Sequence, residues 1–160
     1  MKVIYAGSFD PVTKGHLDII HRAKDIFGEV IVAVLNNVSK KGLFTVEERM
    51  ALLEEVLESQ EGIEIDSFQG LLVDYAKQKN CKVIVRGLRS ASDYVNEYTL
   101  AMANMHYKDG VETVFLLASN ENLFVSSTLA KEVATFDGDL SLFVPEVVAE
   151  AMKKKLGGSL

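Results

Sequence analysis

The sequence predicts an α/β fold, a doubly wound five-stranded parallel sheet with strand order 3-2-1-4-5. Three observations predict it. Short runs rich in Val and Ile alternate with longer stretches whose apolar residues recur at helical spacing. Most of the short runs are apolar at every position, as strands covered on both faces are. No internal repeat, low-complexity stretch or linker breaks the alternation. Residues 3–6 form the first strand. The helix after it carries Leu17, Ile20, Ala23 and Phe27 on one stripe. Residues 30–35 are the second strand. Thr45 opens the second helix, Glu48 completes a capping box, and Val46, Met50, Leu53 and Leu57 form its buried face. Residues 63–65 are the third strand, 71–79 a short third helix and 83–85 the fourth strand. The fourth helix covers 93–107, with Asp109-Gly110 as its stop, and 114–118 is the fifth strand. A fifth helix starts at Ser126 or Ser127 and runs to about Phe136. Pro145 starts the last in a first-turn position, and Gly157-Gly158 ends it. Strands 1 and 4 are then neighbours where the winding reverses, a Rossmann-like arrangement that places ligands beyond the carboxyl ends of the strands. Three segments face that crevice: residues 7–16, 86–89 and 119–128.

Length and charge narrow the function. A chain of 160 residues fits one domain, expected to span residues 1–160, that buries roughly 70% of its unfolded surface. Apolar residues at 48% and charged residues at 25% are the ordinary soluble mix. The net charge of −6 argues against a nucleic-acid partner, while leaving room for a local cationic pocket around a small anion. No run approaches the roughly 18 apolar residues of a membrane span, and the N-terminal apolar run is too short for a secretory leader. A single cysteine excludes an internal disulfide and a Cys-rich zinc site, so a reducing cytoplasm is the expected location.

The first crevice segment reads Gly7-Ser8-Phe9-Asp10-Pro11-Val12-Thr13-Lys14-Gly15-His16. It is not G-x-G-x-x-G, and no G-x-x-x-x-G-K-[ST] occurs, so a dinucleotide oxidoreductase and a P-loop phosphohydrolase are both disfavoured. The segment still joins a strand to a helix N-terminus, which suits an anion. His16 falls in the first turn, where the positive end of the dipole disfavours protonation and leaves a neutral imidazole with one N–H to donate. Arg86 follows a wholly apolar strand, and Arg89 comes three residues later, giving two bidentate phosphate binders in one loop. Ser126, Ser127 and Thr128 stand at a helix start, where capping and phosphate binding are compatible. Four other features read as structural. His21 lies about 140° around the helix from His16, so the two share no metal-binding face. His106 ends a helix, and Cys81 precedes a strand. Met102 and Met105, with Tyr98 and Ala101, read as a core or subunit-contact stripe.

Ser-Phe-Asp-Pro followed by Thr-x-Gly-His resembles the signature of the nucleotidyltransferases that carry a (His/Thr)-x-Gly-His motif. Val125-Ser126-Ser127-Thr128-Leu129-Ala130-Lys131-Glu132 resembles that superfamily's second signature. Arg86-Gly87-Leu88-Arg89 and Ser39-Lys40-Lys41 narrow the resemblance to the bacterial phosphopantetheine adenylyltransferases, along nearly the whole chain. The resemblance implies transfer of the adenylyl group of ATP to 4′-phosphopantetheine, giving dephospho-coenzyme A and pyrophosphate, with Mg²⁺. It further implies a homohexamer and feedback inhibition by coenzyme A. By resemblance, His16 stabilises the transition state. Ser8 and Phe9 lie at the nucleotide phosphates, with Ser8 also touching the acceptor. Gly87, Leu88, Arg89 and Glu97 line the ATP site, which Asn122, Leu123, Phe124, Val125, Ser126, Ser127 and Thr128 close. Lys40 and Arg86 hold the acceptor phosphate, and Leu72 lines the pantetheine arm. The chain departs from the family pattern at Val95 and Asn96, where an acid and an aromatic are common. Other expectations remain beside this one: a sister nucleotidyltransferase using nicotinate mononucleotide or a polyol phosphate, and a nucleotide-binding module without catalysis. A flavodoxin-like redox carrier has only the fold in its favour.

Overall fold

The computed structural model describes residues 1–37, 41–58, 60–107 and 111–157. In chain order the elements are β1 (Lys2–Gly7), α1 (Lys14–Phe27), β2 (Glu29–Leu35), α2 (Val46–Leu57), β3 (Ile63–Phe68), α3 (Leu72–Gln78), β4 (Val83–Leu88), α4 (Ala91–His106), β5 (Glu112–Leu117), α5 (Ser127–Thr135) and α6 (Glu146–Leu156). A 3₁₀ turn, Asn120–Asn122, lies between β5 and α5. The five strands form one sheet of order β3-β2-β1-β4-β5, parallel throughout, as the alternation of elements predicts.

The pleat divides the core into two layers. Val3 and Tyr5 of β1, with Val30, Val32 and Val85, face α1, α2, α5 and α6. Ile4 and Ala6, with Ile31 and Ile84, face α3, where Phe68 stacks on Tyr75 at 4.7 Å between ring centroids. Cys81 is buried in this second layer. α4 lies over β4 and β5 with Tyr94 edge-on to Phe115, yet none of its own residues is buried.

Several element ends differ from the sequence reading, each for a tertiary reason. β4 continues through Arg86 and Gly87 to Leu88 because β5 pairs with it to the end, Arg86 opposite Phe115 and Leu88 opposite Leu117. The site residues Arg86, Gly87 and Leu88 are therefore strand residues and not part of a loop. β3 runs three residues further than predicted, to Phe68. Glu64 and Asp66 are tolerated there because Lys79 pairs with both, at 2.9 and 2.6 Å. α4 starts at Ala91, two residues early, because the Ser90 hydroxyl accepts from Asp93 N. Pro145 is the cap before α6, and Gly157, at φ 70°, closes that helix in the left-handed region that glycine favours. Ser39, Lys40, Asp109, Gly110 and Gly158 lie outside the described residues.

Candidate active site

Two cavities open at the carboxyl edge of the sheet, on either side of the β1–β4 pair. The first, about 290 Å³, is walled by β1, the first turn of α1, the end of β4 and the start of α5. The second, about 430 Å³, is more apolar, with Leu35, Phe68, Leu71, Leu72 and Leu100 in its wall. They share one partition: Ala6, Gly7, Ser8, Arg86 and Glu97 line both.

His16 faces the first cavity and takes its orientation from a capping box. The Thr13 hydroxyl accepts from His16 N at 3.3 Å, and Thr13 N donates to His16 Nδ1 at 3.1 Å. An accepting Nδ1 puts the ring proton on Nε2. The edge-on Phe9 ring, 5.0 Å away between centroids, holds the imidazole plane. Burial, followed by the charges of Arg89 and Arg86, lowers the pKa of His16 to about 4. The ring is neutral, as the sequence implies, but removal from water and two guanidiniums dominate where the helix dipole was the expected cause.

Arg86 crosses the partition. Its Nε and Nη2 donate to the two Glu97 carboxylate oxygens, each at 2.6 Å, and Nη1 donates to Ala6 O at 2.5 Å. Five N–H groups less three leave one donor on each terminal nitrogen, the fork that takes a phosphate bidentately. Arg89 is held by Asp93 through Nε at 3.0 Å, and its Nη1 donates to Val125 O at 3.1 Å. At the start of α5 the Ser126 hydroxyl accepts from Leu129 N, and the Ser127 hydroxyl donates to Pro11 O at 2.7 Å. The first-turn amides of Ser127 and Thr128 need no partner within the helix.

Of the residues expected at an ATP site, Ser8, His16, Gly87, Arg89, Glu97, Asn122, Val125, Ser126, Ser127 and Thr128 line the first cavity. Leu72, Arg86 and Ser8 line the second, the expected acceptor side. Four expected ATP-site side chains turn elsewhere. Phe9 is 1% exposed, packed in the core from a left-handed φ of 47°, so only its backbone is available to a ligand. Leu88 is buried in β4. Leu123 and Phe124 are outside the cavity wall, with Phe124 edge-on to Phe143. Lys40 lies outside the described residues.

The structure adds residues to which sequence reasoning assigned no role. Asp10 is buried; its carboxylate accepts from Leu43 N and Phe44 N at 2.9 and 2.8 Å and pairs with Lys131 at 3.3 Å. Gly42 permits this, since a side-chain carbon there would meet Asp10 Oδ2 at 2.9 Å. Arg49 is buried, and its partners among the described residues are carbonyls, Ser8 O at 2.8 Å and Leu35 O at 3.3 Å from Nη1 and Thr45 O from Nε. Nothing local in the sequence marks either residue. The Thr13-x-x-His16 capping box is legible once His is admitted at the place where Glu or Gln usually stands.

The family model of cytidylyltransferase-like proteins matches residues 4–133. A phosphopantetheine adenylyltransferase of Alkaliphilus metalliredigens is 51% identical over 156 residues, 97% of this chain and 99% of its own. One of Carboxydothermus hydrogenoformans is 50% identical, over 95% of this chain and 94% of its own. One of Desulfosudis oleivorans is 46% identical, over 98% and 94%. Among solved structures, Plasmodium falciparum nicotinic acid mononucleotide adenylyltransferase superposes with a TM-score of 0.70, over 96% of this chain and 94% of its own. At 16% identity that likeness speaks to the fold alone. With a matching family model over most of its length and relatives about half identical from end to end, the chain belongs to the cytidylyltransferase-like family and, within it, to the phosphopantetheine adenylyltransferases.

Proposed function

We propose that the chain transfers the adenylyl group of ATP to 4′-phosphopantetheine, giving dephospho-coenzyme A and pyrophosphate, a step of coenzyme A synthesis. One observation carries the reading: a polar cavity holding a neutral His, an Arg and a helix N-terminus shares its partition with a more apolar cavity, and Arg86 spans that partition. The nucleotide occupies the first cavity and the pantetheine arm the second, with Leu72 along the arm and the Arg86 fork on the acceptor phosphate. We assign Lys40 to the same phosphate.

The reaction needs no enzyme nucleophile. An oxygen of the acceptor phosphate attacks the α-phosphorus of ATP in line. The bond from that phosphorus to the β-phosphate bridging oxygen breaks, and pyrophosphate leaves with the electron pair. The work left to the chain is positioning and charge stabilisation. His16 donates Nε2–H to a non-bridging oxygen at the α-phosphorus. Arg89 and the free amides of α5 hold the departing phosphates. Mg²⁺ enters as part of the MgATP substrate. Asp93 and Glu97, the carboxylates in the nucleotide cavity, are each paired with an Arg, and no group of three metal-binding side chains is found among the described residues. This donor set fits an ion carried by triphosphate oxygens and water.

We further propose a homohexamer. Its support is the apolar stripe on α4, where Tyr94, Val95, Tyr98 and Met105 are exposed. Coenzyme A, sharing the pantetheine arm, is assigned as a feedback inhibitor. The cytoplasm, which supplies ATP, is the proposed location, and among the described residues no helix is long and apolar enough to cross a membrane.

The test is pyrophosphate release from ATP and Mg²⁺ with 4′-phosphopantetheine. Nicotinate mononucleotide and glycerol 3-phosphate run in parallel, the latter also with CTP. Release with phosphopantetheine alone is expected. Release only with another acceptor would overturn the pantetheine site, and nucleotide binding without release would overturn catalysis.

A further inference from the structure

Tyr5 stands at the centre of the sheet, in register with Val32 of β2 and Val85 of β4, and is 7% exposed. Its ring packs edge-on to Phe9 at 5.5 Å and lies 6.4 Å from the His16 ring, between centroids. A phenol placed there needs a partner for its hydroxyl, because buried hydroxyls are otherwise bonded. The other buried tyrosine meets this rule: Tyr75 donates to Asp66 at 2.8 Å. Among the described residues Tyr5 has no such donor or acceptor; the charged groups acting on it are Arg86, Arg89, Glu97 and Asp18, felt at a distance.

The Tyr5 hydroxyl is also not sealed away. Among the described residues, Thr113 Oγ1 alone is a fully enclosed side-chain polar atom without a partner. Tyr5 lines the first cavity, and a side-chain carbon at Gly87 would lie 3.8 Å from its hydroxyl. The hydroxyl therefore opens onto the cavity floor between His16 and Gly87. A side-chain carbon at Gly87 would also meet Ile19 Cγ1 at 3.0 Å, so the bare glycine lets α1 pack closely against β4 beside that floor.

Resting on the adenylyl-transfer reading, we infer that Tyr5 is a nucleotide-contacting residue: its hydroxyl hydrogen-bonds a polar group of ATP lying between His16 and Gly87. The ring is already fixed by Phe9, so the bond forms with no side chain left to order. Burial pushes the phenol's pKa upward, so it stays neutral and keeps its proton to donate.

The test is Tyr5→Phe, which keeps the ring and its packing and removes one oxygen. Binding of the unreactive α,β-methylene analogue of ATP is measured calorimetrically for both chains, with thermal midpoints taken without nucleotide and KM values for both substrates. Nucleotide affinity about five- to tenfold weaker is expected, with a matching rise in KM for ATP. The acceptor KM should stay unchanged, and the midpoint without nucleotide should hold or rise. Equal nucleotide affinity in the two chains would overturn this inference alone. A lower midpoint without nucleotide would also overturn it, since the hydroxyl would then have a structural partner. Failure of the unaltered chain to bind nucleotide would overturn the functional reading and this inference with it.

Discussion

His16 works as a neutral donor because the fold withholds its proton. Its folded pKa of about 4 lies below the ordinary histidine value, so on acidification the unfolded chain takes up a proton first. Stability contributed at neutral pH is therefore lost as pH falls from about 6.5 toward 4. Between pH 7 and 4.5, the native chain should lose roughly 2 kcal/mol more stability than His16→Gln, read from urea unfolding at both pH values. His16→Ala should lower kcat about 10²- to 10³-fold while ATP still binds, the loss typical of one oxyanion donor. Unchanged turnover would remove His16 from the chemistry. Thr113 offers the opposite kind of residue. Its enclosed hydroxyl has no partner, so Thr113→Val should stabilise by about 1 kcal/mol, a rise of roughly 2–4 °C in a thermal melt. At this scale the sequence is a partial guide. The Thr-x-Gly-His spacing declares the helix start and its imidazole, but nothing near Tyr5, Asp10 or Arg49 in sequence announces their surroundings.

Among elements, the turn before α2 depends on a residue far away in the chain. Asp10 accepts two backbone N–H groups from Leu43 and Phe44, so the loop after β1 and the entry to α2 are tied together. Asp10→Ala leaves both amides without their acceptor and should cost about 3 kcal/mol, measured by chemical unfolding. Asp10→Asn keeps one acceptor oxygen and should cost less. The same long-range logic explains which element ends are legible. Capped ends such as the Thr45–Glu48 box follow from local spacing. The ends of β3 and β4 do not, because Glu64, Asp66 and Arg86 look like breaks in an apolar run until Lys79 and Glu97 arrive from other elements. The core of each strand was readable, and its polar extension was a tertiary matter. At the candidate site the consequence is that Arg86 acts from within a strand, with its backbone paired to Phe115 of β5.

For the whole molecule, the alternation of elements predicts a doubly wound parallel sheet, 3-2-1-4-5 is a common order for that class, and the observed order agrees. Assembly is less legible, because an apolar stripe at helical spacing reads equally as core or as contact. α4 resolves the ambiguity in one direction by leaving its stripe exposed, with Val95 at 64% and Tyr98 at 48%. If this face joins copies, Val95→Asp with Tyr98→Glu should lower the sedimenting mass to that of smaller species at micromolar concentration. An unchanged mass would place any interface elsewhere.

The partition between the two cavities has a consequence for what leaves the site. ATP and the acceptor each give up their translational freedom separately to be held on its two sides. A molecule that joins an adenylyl end to a pantetheine end gives it up once while occupying both sides, so each half raises the effective concentration of the other. Such a bridging molecule should dissociate more slowly than either substrate, which dissociation rates measured for the joined product and for each substrate would check.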